Sequence, residues 1–281
     1  MDESIFQPSK SALMPLQQHP NFARALRRFG THCRIVPLED RAHALVIRRA
    51  GIKFASRGPV WTKPTSKLQQ MELLRRSNLH LINGDGLAHE VLSGAGFLRL
   101  MTAAHVAELR ICGTTEEQLL NAQQKWRNRA RKASQEGFSF STRAFDPVAD
   151  AWLLEADFKQ QRAKKYRALP HGILRAYWET APQDIQLVAA TIGQDTIAAM
   201  LFLRHGPVAT YHIGWSSSRG RDVSAHHALL IHATQTLNVQ RIDLGTVDTE
   251  ESPGLARFKI GSGAVVRSLS GTWGRLPLPS R

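Results

Sequence analysis

Three apolar runs parted by two glycine turns constrain the fold of this chain more than any other stretch. Leu187–Ile192 ends at Gly193-Gln-Asp, Thr196–Leu203 ends at His205-Gly-Pro, and Val208–Trp215 follows. Short runs joined by turns this tight pair as neighbouring antiparallel strands. On the third run Tyr211, Ile213 and Trp215 recur every second residue, which predicts one shared face. A loop, Ser216–Asp222, leads to a helix, Ser224–Leu237. There Ala225, Leu229, Ala233 and Leu237 step by four, and Ser224 stands where it can cap. A strand Arg241–Leu244, a short helical turn Pro253–Ile260 and a last strand Ala264–Leu269 complete this half.

The first half shows a related order without a sequence repeat. Met1–Pro8 reads as a frayed arm and Asn21–Arg28 as a short helix stopped by Gly30. Ala44–Arg48 and Ile52–Ser56 form a hairpin. A helix Thr65–Ser77, a strand Asn78–Asn83, a helix Leu87–Ser93, and strands Phe97–Met101 and Val106–Cys112 follow. Between the halves, Thr115–Glu136 reads as one basic helix. Thr114 and Glu117 fit a capping box, and Leu119, Ala122, Trp126, Ala130 and Ala133 make its apolar stripe. The expected division is 1–114, the connecting helix 115–137, and 138–281. No Gly/Ser linker separates them, so the expectation is two closely packed α+β subdomains, each a mostly antiparallel mixed sheet flanked by helices.

The charge is lopsided: 37 Lys and Arg against 23 Asp and Glu, a formal +14 over 281 residues. Such an excess favours polyanionic partners such as tRNA, nucleotides, phosphorylated acceptors or an anionic membrane surface. Two cysteines, Cys33 and Cys112, make neither a disulfide framework nor a metal site. The first thirty residues contain no continuous apolar stretch, so a leader or membrane anchor is not expected and the cytoplasm is the expected location.

One segment asks for a chemical reading. Ile242-Asp-Leu-Gly-Thr runs toward Pro253-Gly-Leu-Ala-Arg-Phe-Lys-Ile-Gly-Ser-Gly-Ala264. It sets a lysine beside an aromatic ring and puts two glycines where backbone must pass close to something. Asp243 and Asp248 are candidates for accepting or orienting a proton, with a structural strand-end hydrogen bond as the simpler role for Asp243. Lys53 and Arg57, on and after the first hairpin, could hold acceptor phosphates.

Taken in order, several segments resemble the Fem-like branch of the GNAT acyltransferase superfamily. They are Pro15-Leu-Gln-Gln-His-Pro, Ser56-Arg-Gly-Pro-Val-Trp61, the basic helix Lys125–Gly137, Gly245, and the Gly254–Gly263 stretch. The strand and helix order of the second half is similar to the GNAT core. The resemblance implies tandem GNAT-like subdomains and transfer of an activated acyl group to an amine. It makes Lys259 an electrostatic stabiliser of the reacting carbonyl, with Phe258 shaping the pocket or stacking on a terminal nucleoside. Asp248 joins them as a catalytic candidate. Tyr211, Arg219, Arg221, Ser224, Arg127 and Arg131 become candidates for holding the donor.

The pattern departs from an acetyl-CoA enzyme at one place. Where such enzymes carry a glycine turn that holds pyrophosphate, this chain has Arg221-Asp-Val-Ser-Ala-His226. That leans the expectation toward an aminoacyl-tRNA donor, with acyl-CoA as the alternative co-substrate and a silent RNA-binding module as a third reading. No tightly bound cofactor and no metal are expected. The sequence carries no complete phosphate-binding or dinucleotide glycine loop, zinc-protease pair, nucleophile elbow or DNA-binding motif.

Overall fold

A computed structural model of the chain describes residues 13–166 and 168–276; the expected arm Met1–Pro8 lies outside them. The chain forms two compact units, neither of them contiguous. Of the described residues, the N-terminal unit comprises Met14–Val106, Gly172–Thr180 and 267–276, and the C-terminal unit comprises Ala107–His171 and Ala181–Val266 with Leu13. Two pieces of the expected 138–281 block therefore build the N-terminal unit.

The N-terminal unit opens with α1 (Pro20–Arg28), β1 (Cys33–Leu38), β2 (Ala42–Arg49), β3 (Ile52–Ser56) and β4 (Val60–Trp61). It continues with α2 (Lys67–Arg76), β5 (Leu81–Gly84), α3 (His89–Gly94) and β6 (Leu98–Met101). β1, β2 and β3 are antiparallel neighbours, and β3 then pairs in parallel with β5 across the helical crossover through α2. Ser66 and Gln69 form a reciprocal capping box that starts α2. Gln18 is fully buried and satisfied on both ends: its amide donates to the Ser56 carbonyl at 2.6 Å, and its oxygen accepts from Leu45 N–H at 2.8 Å. A Cβ at Gly58 would stand 2.6 Å from that amide. The Arg-Gly-Pro turn and the Gln-Gln segment are thus two halves of one packing joint.

The C-terminal unit contains β7 (His105–Arg110), α4 (Thr115–Leu120), α5 (Gln124–Ser134), β8 (Ser139–Ala144) and α6 (Ala151–Lys164). After α7 (His171–Thr180), most of which belongs to the N-terminal unit, come β9 (Ile185–Ile192), β10 (Asp195–His205) and β11 (Val208–Ser216). Then follow α8 (Ser218–Asp222), α9 (Ala225–Thr236), β12 (Arg241–Val247), α10 (Pro253–Gly261) and β13 (Val265–Ser268); β14 (Gly271–Gly274) closes the N-terminal sheet. The C-terminal sheet runs β13-β7-β12-β11-β10-β9-β8, and the N-terminal one β1-β2-β3-β5-β14-β6 with β4 on β2. Each sheet is a meander, a parallel crossover partner, a strand borrowed from the other half of the chain, and a last strand. β10 is buried along Ile197–Leu203, as a central strand covered on both faces must be.

Several elements differ from the sequence reading. Strands β1, β4, β8 and β14 were not expected. The basic segment is two helices, because Asn121–Gln123 break the run between α4 and α5. The Ser216–Asp222 loop is a helical turn, capped by Ser217 on Gly220 N–H at 3.1 Å. The Ser224 side chain does not cap α9; the residue sits in the left-handed region at φ 58° and its hydroxyl makes no cap hydrogen bond. Tyr211 and Ile213 do not share a face. Tyr211 pairs with Phe202 and Ile213 with Leu201, so His212 is an extra residue in the strand and the alternation flips there. No helix among the described residues is long and apolar enough to cross a membrane.

Candidate active site

β11 and β12 pair in parallel only over Val208–Thr210 and Arg241–Asp243. β11 runs on to Ser216 and β12 to Val247, so the two strands part beyond the bulge at His212. Beyond the paired stretch lie Tyr211–Ser216 on β11 and Leu244–Val247 on β12.

Lys259 reaches this gap from α10. The helix buries it to 5 % exposure, and its ammonium donates to the Thr246 carbonyl at 2.7 Å. Burial pulls its pKa down to about 8, with the negative charge of Asp243 pushing the other way. Asp243 is fully buried and accepts from Gly245 N–H at 2.8 Å, which holds the left-handed kink at Gly245, φ 78°. A desolvated ammonium fixed beside a strand opening is a preorganised positive charge, the arrangement that stabilises a developing oxyanion.

Phe258 is half-buried in an aromatic cluster. Its ring centroid lies 6.0 Å from Trp126 on α5, 5.3 Å from His227 and 6.1 Å from His226 on α9. The two glycines that follow serve this joint. A Cβ at Gly261 would fall 2.8 Å from Trp126 Cδ1, and one at Gly263 would fall 2.6 Å from the Asn121 carbonyl oxygen, at φ 87°. What the glycine pair lets the backbone approach is the break between α4 and α5. Gly263→Ala is expected to cost about 2–4 kcal/mol, from left-handed strain plus a clash with backbone. Gly30 shares the φ of 87° but has open space around it, so Gly30→Ala should cost only about 1 kcal/mol. Urea titration of both variants checks the difference, and equal losses would remove the close approach from the account.

Two half-buried histidines lie close by, His212 on β11 and His226 on α9. His212 and His226 are each driven to about 4, chiefly by burial, so both are neutral at pH 7. Tyr211 is pushed upward by burial and stays protonated; its hydroxyl fills the space beside Gly214, toward His226. A polar cluster that the sequence reading missed lies behind them. The buried Asp157 carboxylate accepts from His171 Nε2 at 2.7 Å, Gln161 Nε2 at 2.6 Å and Tyr166 Oη at 3.3 Å. Its charge is felt at both Tyr211 and His212. No motif marks it, because residues 157, 166 and 171 come together only through the turn after α6.

The other expected site residues scatter. Asp248 is exposed and accepts from the N–H groups of Glu250 and Glu251 at 2.9 and 2.8 Å, ordering the loop into α10. Arg219 and Arg221 are exposed on α8, and Arg221 donates to the Ser216 carbonyl at 2.6 Å. Gly220 between them is buried against the Ile197 carbonyl, which seats this helical turn on β10. On α5, Arg131 pairs with Glu116, and Arg127 is half-buried with a 3.5 Å contact to the Leu120 carbonyl. Arg57 is buried in the N-terminal unit with its Nε on Asp85 at 2.9 Å, and Lys53 is partly buried on β3.

Residues 121–259 match the acetyltransferase (GNAT) domain family. That span holds the parted strands, the aromatic cluster and Lys259. Among solved structures the chain is similar to FemX, with a TM-score of 0.72 at 14 % identity, covering 94 % of this chain and 93 % of that one. It is also similar to L-PGS from Bacillus licheniformis, with a TM-score of 0.55 at 11 % identity and 94 % coverage of both chains. A conserved protein of unknown function from Bacteroides thetaiotaomicron VPI-5482 gives 0.57 at 10 % identity, covering 92 % of this chain and 90 % of that one. No curated protein sequence matches the chain. With an acetyltransferase (GNAT) domain carrying the site at residues 121–259, the chain is a GNAT-type acyltransferase whose fold is similar to that of FemX over nearly its whole length.

Proposed function

We propose that the protein transfers an aminoacyl group from aminoacyl-tRNA to a primary amine, such as that of a peptide precursor. The observation that carries this reading is the buried Lys259 ammonium at the mouth of the parted strands, still largely charged at pH 7. Aminolysis of an ester needs a neutral amine, a stabilised oxyanion and aligned partners. Lys259 supplies the second. The His171–Asp157 pair is positioned near the bulge to take up the proton that the amine loses.

The donor side favours tRNA. Where an acetyl-CoA enzyme presents a glycine turn to pyrophosphate, this chain seats the helical turn α8, and residue 224 enters α9 in a left-handed kink. Lys125, Arg129 and Lys132 are exposed on α5, and Arg127 and Arg131 extend that basic surface. The fold of FemX and of L-PGS agrees with this choice. The acetyltransferase name of the matched domain favours the second reading, acyl-CoA-dependent N-acetylation.

Titration with charged tRNA and with acetyl-CoA separates the two, followed by mass spectrometry of an amine pool incubated with each donor. Saturable binding of acetyl-CoA alone would overturn the aminoacyl reading. If α5 meets tRNA phosphates, the joint change Arg127→Gln and Arg131→Gln should weaken binding and lower the slope of log K against log salt by roughly 1–2. An unchanged slope would leave α5 a structural element only.

A further inference from the structure

We infer that the N-terminal unit carries a small-molecule site of its own, a pocket for a short amphiphilic anion between the β1–β2 face and the end of α2. The inference rests on this unit alone and stands apart from the acyl-transfer reading. Register sets the floor of the pocket. Val36 pairs with Ala44 and Arg34 with Val46, so these side chains share one sheet face with Leu38. α2 covers that face with Leu73 and Leu74 but ends at Arg76, and the chain turns away through Ser77 and Asn78. A cavity of about 260 Å³ is left under the helix end, walled by Val36, Leu38, Ala44, Val46, Leu73 and Leu79.

Its rim is cationic. Arg34, Lys53 and Arg76 line it against a single acid, Glu39. Arg76 already holds Glu39 at 3.4 Å and Glu72 at 2.8 Å. Arg34 and Lys53 have no ion-pair partner among the described residues, and Arg48, exposed opposite Lys53 in the ladder, adds a third cation nearby. Apolar walls favour a hydrocarbon group, and a guanidinium and an ammonium at the mouth favour a carboxylate or phosphate. The volume lies just below the range of roughly 300–1,000 Å³ usual for drug-sized ligands, which points to a single short chain or ring rather than a nucleotide. The occupant we commit to is a free medium-chain carboxylate. Lys53, expected from sequence to meet acceptor phosphate, here meets the head of this ligand.

Calorimetric titration of the full chain with decanoate tests the pocket, with uncharged decanol as the comparison. Saturable one-site binding of decanoate is expected, at least tenfold tighter than decanol. The exposed-rim change Arg34→Gln with Lys53→Gln should weaken decanoate at least tenfold with no change in melting temperature. Val36→Phe, which fills the cavity from an edge strand, should abolish binding of both. Absence of saturable decanoate binding would overturn the proposal, as would binding that neither change affects. Capture by phosphatidylglycerol vesicles through Arg34 and Lys53, with no binding of free decanoate, would also overturn it and make this face a membrane contact.

Discussion

Replacing Lys259 by Met is expected to lower kcat/KM by about 10²- to 10³-fold while leaving the protein at least as stable near pH 7. The loss is that of a preorganised positive charge aimed at a developing oxyanion. Stability behaves differently because the ammonium is buried at a cost. Removing it leaves the Thr246 carbonyl short of one donor, worth about 1–2 kcal/mol, but relieves the desolvation that lowers the pKa to about 8. The pH dependence is a sharper test. The unfolded chain binds this proton up to about 10.5 and the folded one only to about 8, so wild-type stability rises with pH across that window. Below pH 8 the penalty is fully present. The wild type should therefore gain roughly 3 kcal/mol on the Met variant between pH 8 and 10.5, measured by urea unfolding of both. Retained activity, or a stability difference flat in pH, would take Lys259 out of the site.

Asp85→Ala is expected to cost about 3–5 kcal/mol, the largest single loss in the N-terminal unit. Asp85 accepts from Arg57 Nε at 2.9 Å and from Arg267 Nη2 at 3.1 Å, with a further contact to Arg267 Nη1. Burial alone would raise its pKa, but Arg267 and Arg57 together hold it below the ordinary carboxylate value. The carboxylate neutralises two guanidiniums, one of them buried, and its removal sets like charges face to face. Its stabilisation is present above the ordinary aspartate range and is lost as pH falls below it. Thermal unfolding of wild type and variant at pH 7 and at pH 3 should show the gap close in acid. A loss under 1 kcal/mol at pH 7 would mean that the arginines are solvated without it.

The C-terminal half was legible because its signals are local. The glycine turns at 193 and 206 fixed the meander, and the four-residue step through Ala225, Leu229, Ala233 and Leu237 placed a helix whose members are all buried. The bulge at His212 was not legible, since one extra residue in a strand leaves no mark on composition and inverts every later assignment of face. Nor was Ser224: a residue in the left-handed region looks the same in sequence as a cap. The family-marking segments proved to be packing joints in pairs, Gln18 with Gly58, Trp126 with Gly261, and Asn121 with Gly263. Lys259 was found through such a joint, whereas Asp157 and His171 belong to none and stayed hidden.

The borrowed strands have a consequence for how the protein must be made. Gly271–Gly274 lie between β5 and β6 in a sheet whose other strands are all complete by residue 101. A nascent chain emerging from the ribosome thus holds that sheet with a slot open while more than half of the sequence is still unmade. The first unit cannot reach its final state during synthesis, and its closure waits on the second, which has by then taken β7 in turn. Closure of the first sheet is therefore a late step, after residues 271–274 have been made. A gene split near residue 114 would give two pieces that are each unfinished alone and complete only in each other's presence.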